Sequence, residues 1–254
     1  MYRFFVNKNQ ILQSPVVIEG EDYKHMHSVL RLKKGEEVLL CAEDEKEYLC
    51  RIESYNEEYQ QVFLQIVDVF GNNRELPSKL VLFQGLPKGD KMELIIQKAV
   101  ELGVSEIVPV AMKRCVVKLD EKKAVKKIER YNNIALSAAK QSKRGKIPEV
   151  TAVMSFHEAC EYCKSLKTVL IPYELANGMK QSKQHIKDAV KSSSVGIFIG
   201  PEGGFEPEEI EELKKMDGQI LSLGHRILRT ETAGMVVLSL LMFEMESDEE
   251  DSGE

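Results

Sequence analysis

The apolar residues of this chain change their rhythm at residues 71–78. Upstream they alternate with polar ones. Val38, Leu40 and Ala42 share one face of "EEVLLCA", Tyr48, Cys50 and Ile52 one face of "EYLCRIES", and Val62, Leu64 and Ile66 one face of "QVFLQIVDV". Short strands at this spacing predict a small β-barrel or sandwich over residues 1–70. Ahead of them, "EDYKHMHSVLRLKKG" reads as a short helix ending near Gly35. The stretch "GNNRELPS" has the Gly, Asn and Pro chemistry of a linker. Beyond it the strands are continuous apolar runs, "KLVLFQGL", "EIVPV", "TVLIPYE", "VGIFIG" and "QILSLG", and they alternate with helical segments. That alternation predicts an α/β domain over 79–246 with a largely parallel sheet. Residues 247–254 are mostly acidic and are expected to be a disordered tail.

Several helix ends are legible. In "GDKMELIIQKAVELG", Asp90 can cap the start, Glu93 stands three residues on, and Gly103 can close the helix. Ala124–Lys140 is a second helix. "EPEEIEELKKMDG" has Pro207 in its first turn, acids early, lysines late and Gly218 after them. A very apolar helix, Glu231–Glu246, is the last. In such a domain the ligand site lies at the C-terminal ends of the strands. Three loops then matter: "IPYE", "GPEGG" and "LGHRILRTETAG".

Charge points toward one partner class. The net charge is −6, yet seven acids and no base sit in the last eleven residues. The stretch Lys113–Lys146 holds twelve Lys and Arg against three acids. This is either an RNA-compatible basic field or a solvated helix face. No apolar run is long enough to cross a membrane, and "MYRFFVNKNQ" lacks the apolar region of a signal peptide. Five scattered cysteines fit a reducing cytoplasm better than a disulfide framework. "CEYC", residues 160–163, has no second pair or histidine cluster at metal spacing and reads as apolar filler on a helix, so no metal is expected. Cys115 stands beside Arg114, but no base is evident near it.

The loop "FIGPEGGF" looks like a phosphate cradle by its placement between strand and helix. Its residues argue otherwise. Pro201 removes a backbone donor, and Glu202, Glu206, Glu208 and Glu209 place four carboxylates where an anion would sit. A neutral or cationic ligand close to Gly200, Gly203 and Gly204 fits better. A plain tight turn with acids serving the helix dipole is the alternative. In the loop 223–234, Thr230 is a candidate N-cap, and Arg229 and Glu231 either line a pocket or pair with each other.

"IGPEGGF" followed by "LGHRILRTETA" resembles the cofactor-binding signature of the RsmE family, methyltransferases of the SPOUT class. "HMHSVLRLKKG", "KGDKMELIIQKAVELGVSEIVPV", "KRCVVKLD" and "AAKQSKRGKIPEV" resemble its other motifs in order, so the likeness spans nearly the whole chain. His225, where the family often has a small residue, and the third loop "IPYE" depart from the pattern.

The resemblance implies a PUA-like β-barrel followed by an α/β domain whose C-terminal segment is threaded as a deep trefoil knot, in a cytoplasmic homodimer. It implies methylation of N3 of a uridine in 16S ribosomal RNA, the uridine-1498 site, with S-adenosylmethionine as cofactor and 16S rRNA or the 30S subunit as partner. By matching motifs, the cofactor is held by Pro172, Glu174, Gly200, Pro201, Glu202, Gly203, Gly204, Leu223, Gly224, Ile227, Leu228, Arg229, Thr232 and Ala233, with Glu202 toward its positive end. Arg229 is the candidate to stabilise charge on the uracil, with Glu231 orienting it or acting as base. RNA candidates are Arg3, His25, Arg31 and Lys33 in the first domain, and Lys88, Lys91, Arg114, Lys118, Gln141, Arg144 and Lys146 in the second. A SPOUT enzyme acting on another RNA nucleotide, or a non-catalytic RNA-binding assembly factor, are the alternatives.

Overall fold

A computed structural model describes residues 1–246 apart from 43, 45, 72, 73 and 177, with only the backbone at 121; the acidic tail expected at 247–254 lies outside the described residues. The chain divides into two compact units. The first is Met1–Glu75 with Ala139–Ile147, and the second is Leu76–Ala138 with the chain from Pro148 onward.

In the first unit, β1 (Arg3–Phe5), α1 (Lys8–Ile11), β2 (Val16–Ile18) and α2 (Gly20–Lys24) precede a π-helical turn, His25–Val29. Then come β3 (Glu37–Cys41), β4 (Lys46–Asn56) and β5 (Gln61–Gly71). The five strands form one sheet in the order β1-β3-β4-β5-β2, with β1–β3 parallel and the other pairs antiparallel. The register matches the alternation: Val38 faces Cys50, Leu40 faces Tyr48 and Ile52 faces Leu64. These residues share one core with Phe4, Ile18, Tyr23 and Met26, so the sheet curls around a single interior. The helix expected up to Gly35 ends earlier. It passes through the π-helical turn, and Arg31 adopts a positive φ of 54°.

The second unit is not the continuous stretch expected for 79–246. Residues 139–147 belong with the first unit, and buried ion pairs explain why. Glu75 accepts hydrogen bonds from the Arg144 guanidinium (Nε, 3.1 Å) and from the backbone N–H of Gly145 (3.0 Å). The Arg3 guanidinium holds both oxygens of Glu47 (2.7 and 3.1 Å) and reaches the Arg144 carbonyl (3.4 Å). Lys140 lies 3.4 Å from Asp22.

The second unit contains β6 (Lys79–Gly85), α3 (Lys91–Glu101), β7 (Glu106–Ala111), α4 (Glu121–Gln141, of which the residues from Ala139 on belong with the first unit), β8 (Glu149–Val150), β9 (Met154–Ser155) and α5 (Phe156–Cys163). It continues with β10 (Thr168–Pro172), α6 (Met179–Val190), β11 (Ser194–Ile199), α7 (Pro207–Lys215), β12 (Gln219–Leu221) and α8 (Thr230–Met245). Every pairing is parallel, in the order β12-β10-β11-β6-β7-β8, with β9 also on β7. Phe83 of β6 stacks on Phe198 of β11, centroids 4.4 Å apart, at the centre of the core. From β6 the chain moves to β7 on one side, and from β11 it moves past β10 to β12 on the other. Adjacent β6 and β11 are therefore the point where strand order reverses, and their C-terminal ends border a natural crevice.

Two expected caps differ in detail. Gly103, at φ 88°, does close α3, with Val104 N–H donating to Ala99 C=O (3.0 Å). Asp90, however, makes no side-chain cap. At the end of α7 the left-handed residue is Asp217 (φ 59°) rather than Gly218. Gly218 is required for packing, because a Cβ there would lie 2.4 Å from Ile171 Cδ1.

Candidate functional site

A cavity of about 550 Å³ opens at the crevice, within the size range of small-molecule sites. The three loops surround it: Pro172–Glu174 after β10, Ile199–Phe205 after β11 and Leu223–Thr230 after β12, with Lys91 of α3 and Ala233 of α8. Of the residues expected at the cofactor, Pro172, Glu174, Gly200, Pro201, Glu202, Gly203, Gly204, Leu223, Gly224, Ile227, Leu228, Arg229 and Ala233 line it. Thr232 does not. Ile227 is 86% exposed on the rim.

The glycines serve the loop itself more than a ligand. Gly204, at φ 70°, faces the Glu174 carboxylate, which would lie 2.8 Å from an added Cβ. Gly203 faces Arg114, whose Cβ would be 3.0 Å away. The room that glycine leaves is filled by the chain.

The four glutamates are not a free acidic field. Glu202 accepts from Lys91 Nζ (2.9 Å) and Lys88 N–H (3.1 Å). Burial works to raise its pKa, but these donors outweigh burial and hold it below the usual carboxylate range. Glu206 is held low by a hydrogen bond from Arg114 (Nε, 2.9 Å). Glu208 lies 3.7 Å from Lys113. Glu209 is buried and accepts from the backbone N–H groups of Glu206 (2.8 Å) and Lys113 (3.1 Å). The carboxylate that remains exposed on the cavity, with no hydrogen bond or ion pair among the described residues, is Glu174. Glu202, expected toward the cofactor's positive end, is thus already hydrogen-bonded to Lys91, whereas Glu174 is not.

Thr230 is not the N-cap. Arg229 occupies that position, and Thr230 is the first residue of α8. The Thr230 hydroxyl donates to Gly200 C=O (2.7 Å) and accepts from Gln84 Nε2 (2.9 Å), all in the buried interior. This chain of bonds joins the ends of β6 and β11 to the start of α8 beneath the cavity. Gln84 is fully buried and its Oε1 has no partner among the described residues. Nothing in the sequence marks Gln84, a lone polar residue inside an apolar run.

Arg229 is largely exposed, and its guanidinium lies 4.0 Å from Glu231. Glu231 does not line the cavity; its carboxylate is mostly buried, 3.5 Å from Lys91 Nζ.

Ion pairing removes several of the expected RNA contacts. Arg3 and Arg144 are buried in the first unit's ion pairs, where a bidentate guanidinium holds a carboxylate instead of facing solvent. Lys91 and Arg114 brace the cavity loops. The His25 ring packs edge-on against Phe4 (5.8 Å). The Lys146 backbone N–H donates to Glu75 (3.3 Å). Arg31, Lys33, Lys88, Lys118 and Gln141 are exposed.

Cys160 and Cys163 are buried on α5. Burial pushes both thiols up, Cys163 to about 11, as expected of apolar filler. Burial likewise raises Cys115. Among the described residues no group of three or more His, Cys, Asp or Glu is arranged to hold a metal, and no helix is long and apolar enough to cross a membrane.

A parallel sheet with a loop-walled cavity at its topological switch point defines a small-ligand-binding α/β protein. Residues 74–242 match the family model described as RNA methyltransferase domain, and residues 18–62 match the RNA methyltransferase PUA domain. A Bacillus subtilis protein named ribosomal RNA small subunit methyltransferase E is 39% identical, covering 97% of this chain and 98% of that protein. A putative methyltransferase from Legionella pneumophila, solved with bound SAM, aligns with TM-score 0.80 at 35% identity, covering 95% and 96% of the two chains. A ribosomal RNA small subunit methyltransferase E from Neisseria gonorrhoeae, bound to S-adenosyl methionine, aligns with TM-score 0.81 at 28% identity, covering 96% and 97%. The chain belongs to the RNA methyltransferase family, and its resemblance to RsmE is borne out.

Proposed function

We propose that this chain uses S-adenosylmethionine to methylate N3 of a uridine of 16S rRNA at the uridine-1498 site. The observation that carries the reading is the cavity at the ends of β10, β11 and β12, with the unpaired Glu174 carboxylate on it. A rim with an available carboxylate fits a ligand bearing a sulfonium and an ammonium group. When bound, the cofactor supplies an electrophilic methyl group. Glu174 offsets cationic charge, while the backbone of Leu223, Ile227 and Leu228 meets the adenine edge. Arg229 faces the approaching uracil. Once N3 gives up its proton to solvent, the charge spreads to the ring carbonyl oxygens, where the guanidinium would stabilise it. Glu231, 4.0 Å from Arg229 and held near Lys91, orients that guanidinium. Holding the reacting atoms in line supplies most of the acceleration.

The same reading includes a homodimer and the threaded C-terminal segment. A second copy is supported by α8, where Leu240 and Phe243 are 43% and 77% exposed on a helix that is apolar all round. Sedimentation of the purified chain as a monomer would exclude the dimer.

The deciding experiment is mass mapping of 16S rRNA from a strain lacking this chain, with calorimetry of S-adenosylmethionine on the purified protein. Loss of one N3-methyluridine together with cofactor binding supports the reading, and an unchanged rRNA map overturns it.

A further inference from the structure

We propose that the first two turns of α4, with Lys118 just ahead of them, form the surface on which the second unit holds the phosphate backbone of its RNA. The proposal rests on the RNA reading above and assigns a surface to it.

Of the twelve Lys and Arg between 113 and 146, the fold uses Lys113 on Glu208 (3.7 Å), Arg114 on Glu206, Lys123 on Asp120 (2.9 Å), Arg130 on Glu93 (2.9 Å), Lys140 on Asp22 and Arg144 on Glu75. Lys118, Lys122 and Lys126 are exposed and Lys127 is half-buried, with no carboxylate partner among the described residues. Lys122 and Lys126 stand one turn apart, about 6 Å along the axis.

Their placement is unfavourable for the helix alone. Lys122, Lys123, Lys126 and Lys127 all fall in its first two turns, where the positive end of the macrodipole disfavours cations. A polyanion on this surface relieves both the dipole and the mutual repulsion. Val116 and Val125, 68% and 59% exposed, give the same surface apolar contacts for ribose and bases.

The surface is also within reach of the cavity. Arg114 Nη1 donates to Gly203 C=O (2.8 Å), so the segment leading to α4 starts at the glycine loop. The eight residues from Arg114 to Lys122 span at most about 29 Å. An RNA with its target base at the cavity can lay its backbone along them.

The test replaces Lys122, Lys126 and Lys127 together by Gln and measures binding of a 16S rRNA fragment over a range of salt concentrations. Each lost phosphate contact removes about 0.7–0.9 from the slope of log K against log salt, so the slope falls by roughly two. Cofactor binding stays unchanged, and the melting temperature stays the same or rises as the repulsion is removed. The comparison is Lys180, Lys183 and Lys187 replaced by Gln on α6, which leaves the slope as it was. An unchanged slope in the α4 variant, or an equal fall in the α6 variant, overturns the surface. In the wild-type chain, the bound fragment protects Lys122 and Lys126 from acetylation, read by mass spectrometry; equal acetylation with and without RNA overturns it without any substitution. Loss of binding to anionic vesicles with rRNA binding intact also overturns it. A chain that binds cofactor yet no rRNA at any salt overturns the functional reading itself.

Discussion

Arg144 and Lys126 come from one basic stretch of sequence, and the fold treats them oppositely. Arg144 is 4% exposed and clamped by Glu75 and neighbouring backbone, whereas Lys126 stands in solvent. The difference follows from the side chains. A guanidinium is weakly hydrated and has five donors in a fixed fork, so several hydrogen bonds together offset its desolvation. An ammonium loses more on burial and stays where water or a mobile anion can hold it. Local charge density therefore marks a region but not its use; pairing decides which cations remain for a partner.

The largest expected effect breaks this contrast most directly. Arg144→Ala leaves Glu75 as an uncompensated, mostly buried charge and should destabilise the chain by about 3–5 kcal/mol in urea unfolding. Lys126→Ala should stay within about 0.5 kcal/mol of wild type. Similar losses for the two would mean that the buried clamp contributes no more than an exposed lysine.

A second contrast lies inside the second unit, between what holds the cavity and what faces its ligand. Thr230 and Gln84 hold it. Thr230→Val leaves the Gly200 carbonyl without its donor and the Gln84 amide with only its bond to the Gly85 carbonyl (3.0 Å), at a cost of about 1–3 kcal/mol. Cofactor affinity, measured by calorimetry, should fall by about tenfold as the glycine loop loses its tie. Thr230→Ser keeps the hydroxyl and should restore binding. Combining Thr230→Val with Gln84→Leu should cost less than the sum of the two single changes, because the pair shares one bond. Full additivity would show that the chain of hydrogen bonds does not act as a unit.

The parts of this molecule that were legible in its sequence are those with a local period. The register of β3, β4 and β5 follows from alternation, and the three cavity loops follow from apolar runs ending in glycine or proline. Elements with weak periods escaped. β1 and β2 have three residues each, too few to show alternation. α6 buries Ser182, Ile186 and Ala189, a narrow face of mostly small residues that reads as a polar loop. Long-range pairing escaped entirely. Lys91 and Glu202 are 111 positions apart, and no local feature announces that one neutralises the other. For the same reason Glu202 stood out as the cofactor's counter-charge while Glu174, alone in "IPYE", drew less weight.

The smallest expected effect sharpens that last pair. Both carboxylates line the cavity, but Glu202 is hydrogen-bonded to a cation while Glu174 feels Arg114 only at longer range. Glu174→Gln removes an available charge from a partly solvated rim, worth about 0.2–1 kcal/mol, so S-adenosylmethionine affinity should fall by up to about fivefold. Glu202→Gln should leave that affinity close to wild type and change the response to acid instead. The folded-state pKa of Glu202 lies below its reference value of 4.5. Its contribution to stability is therefore complete above that value and is lost as pH falls through the lower, folded one. Wild type should lose stability over that acid range by more than Glu202→Gln does, read as melting temperature against pH. If the two curves ran parallel, or if Glu202→Gln weakened the cofactor more than Glu174→Gln did, the counter-charge would return to Glu202, and Lys91 would have to release it when the ligand binds.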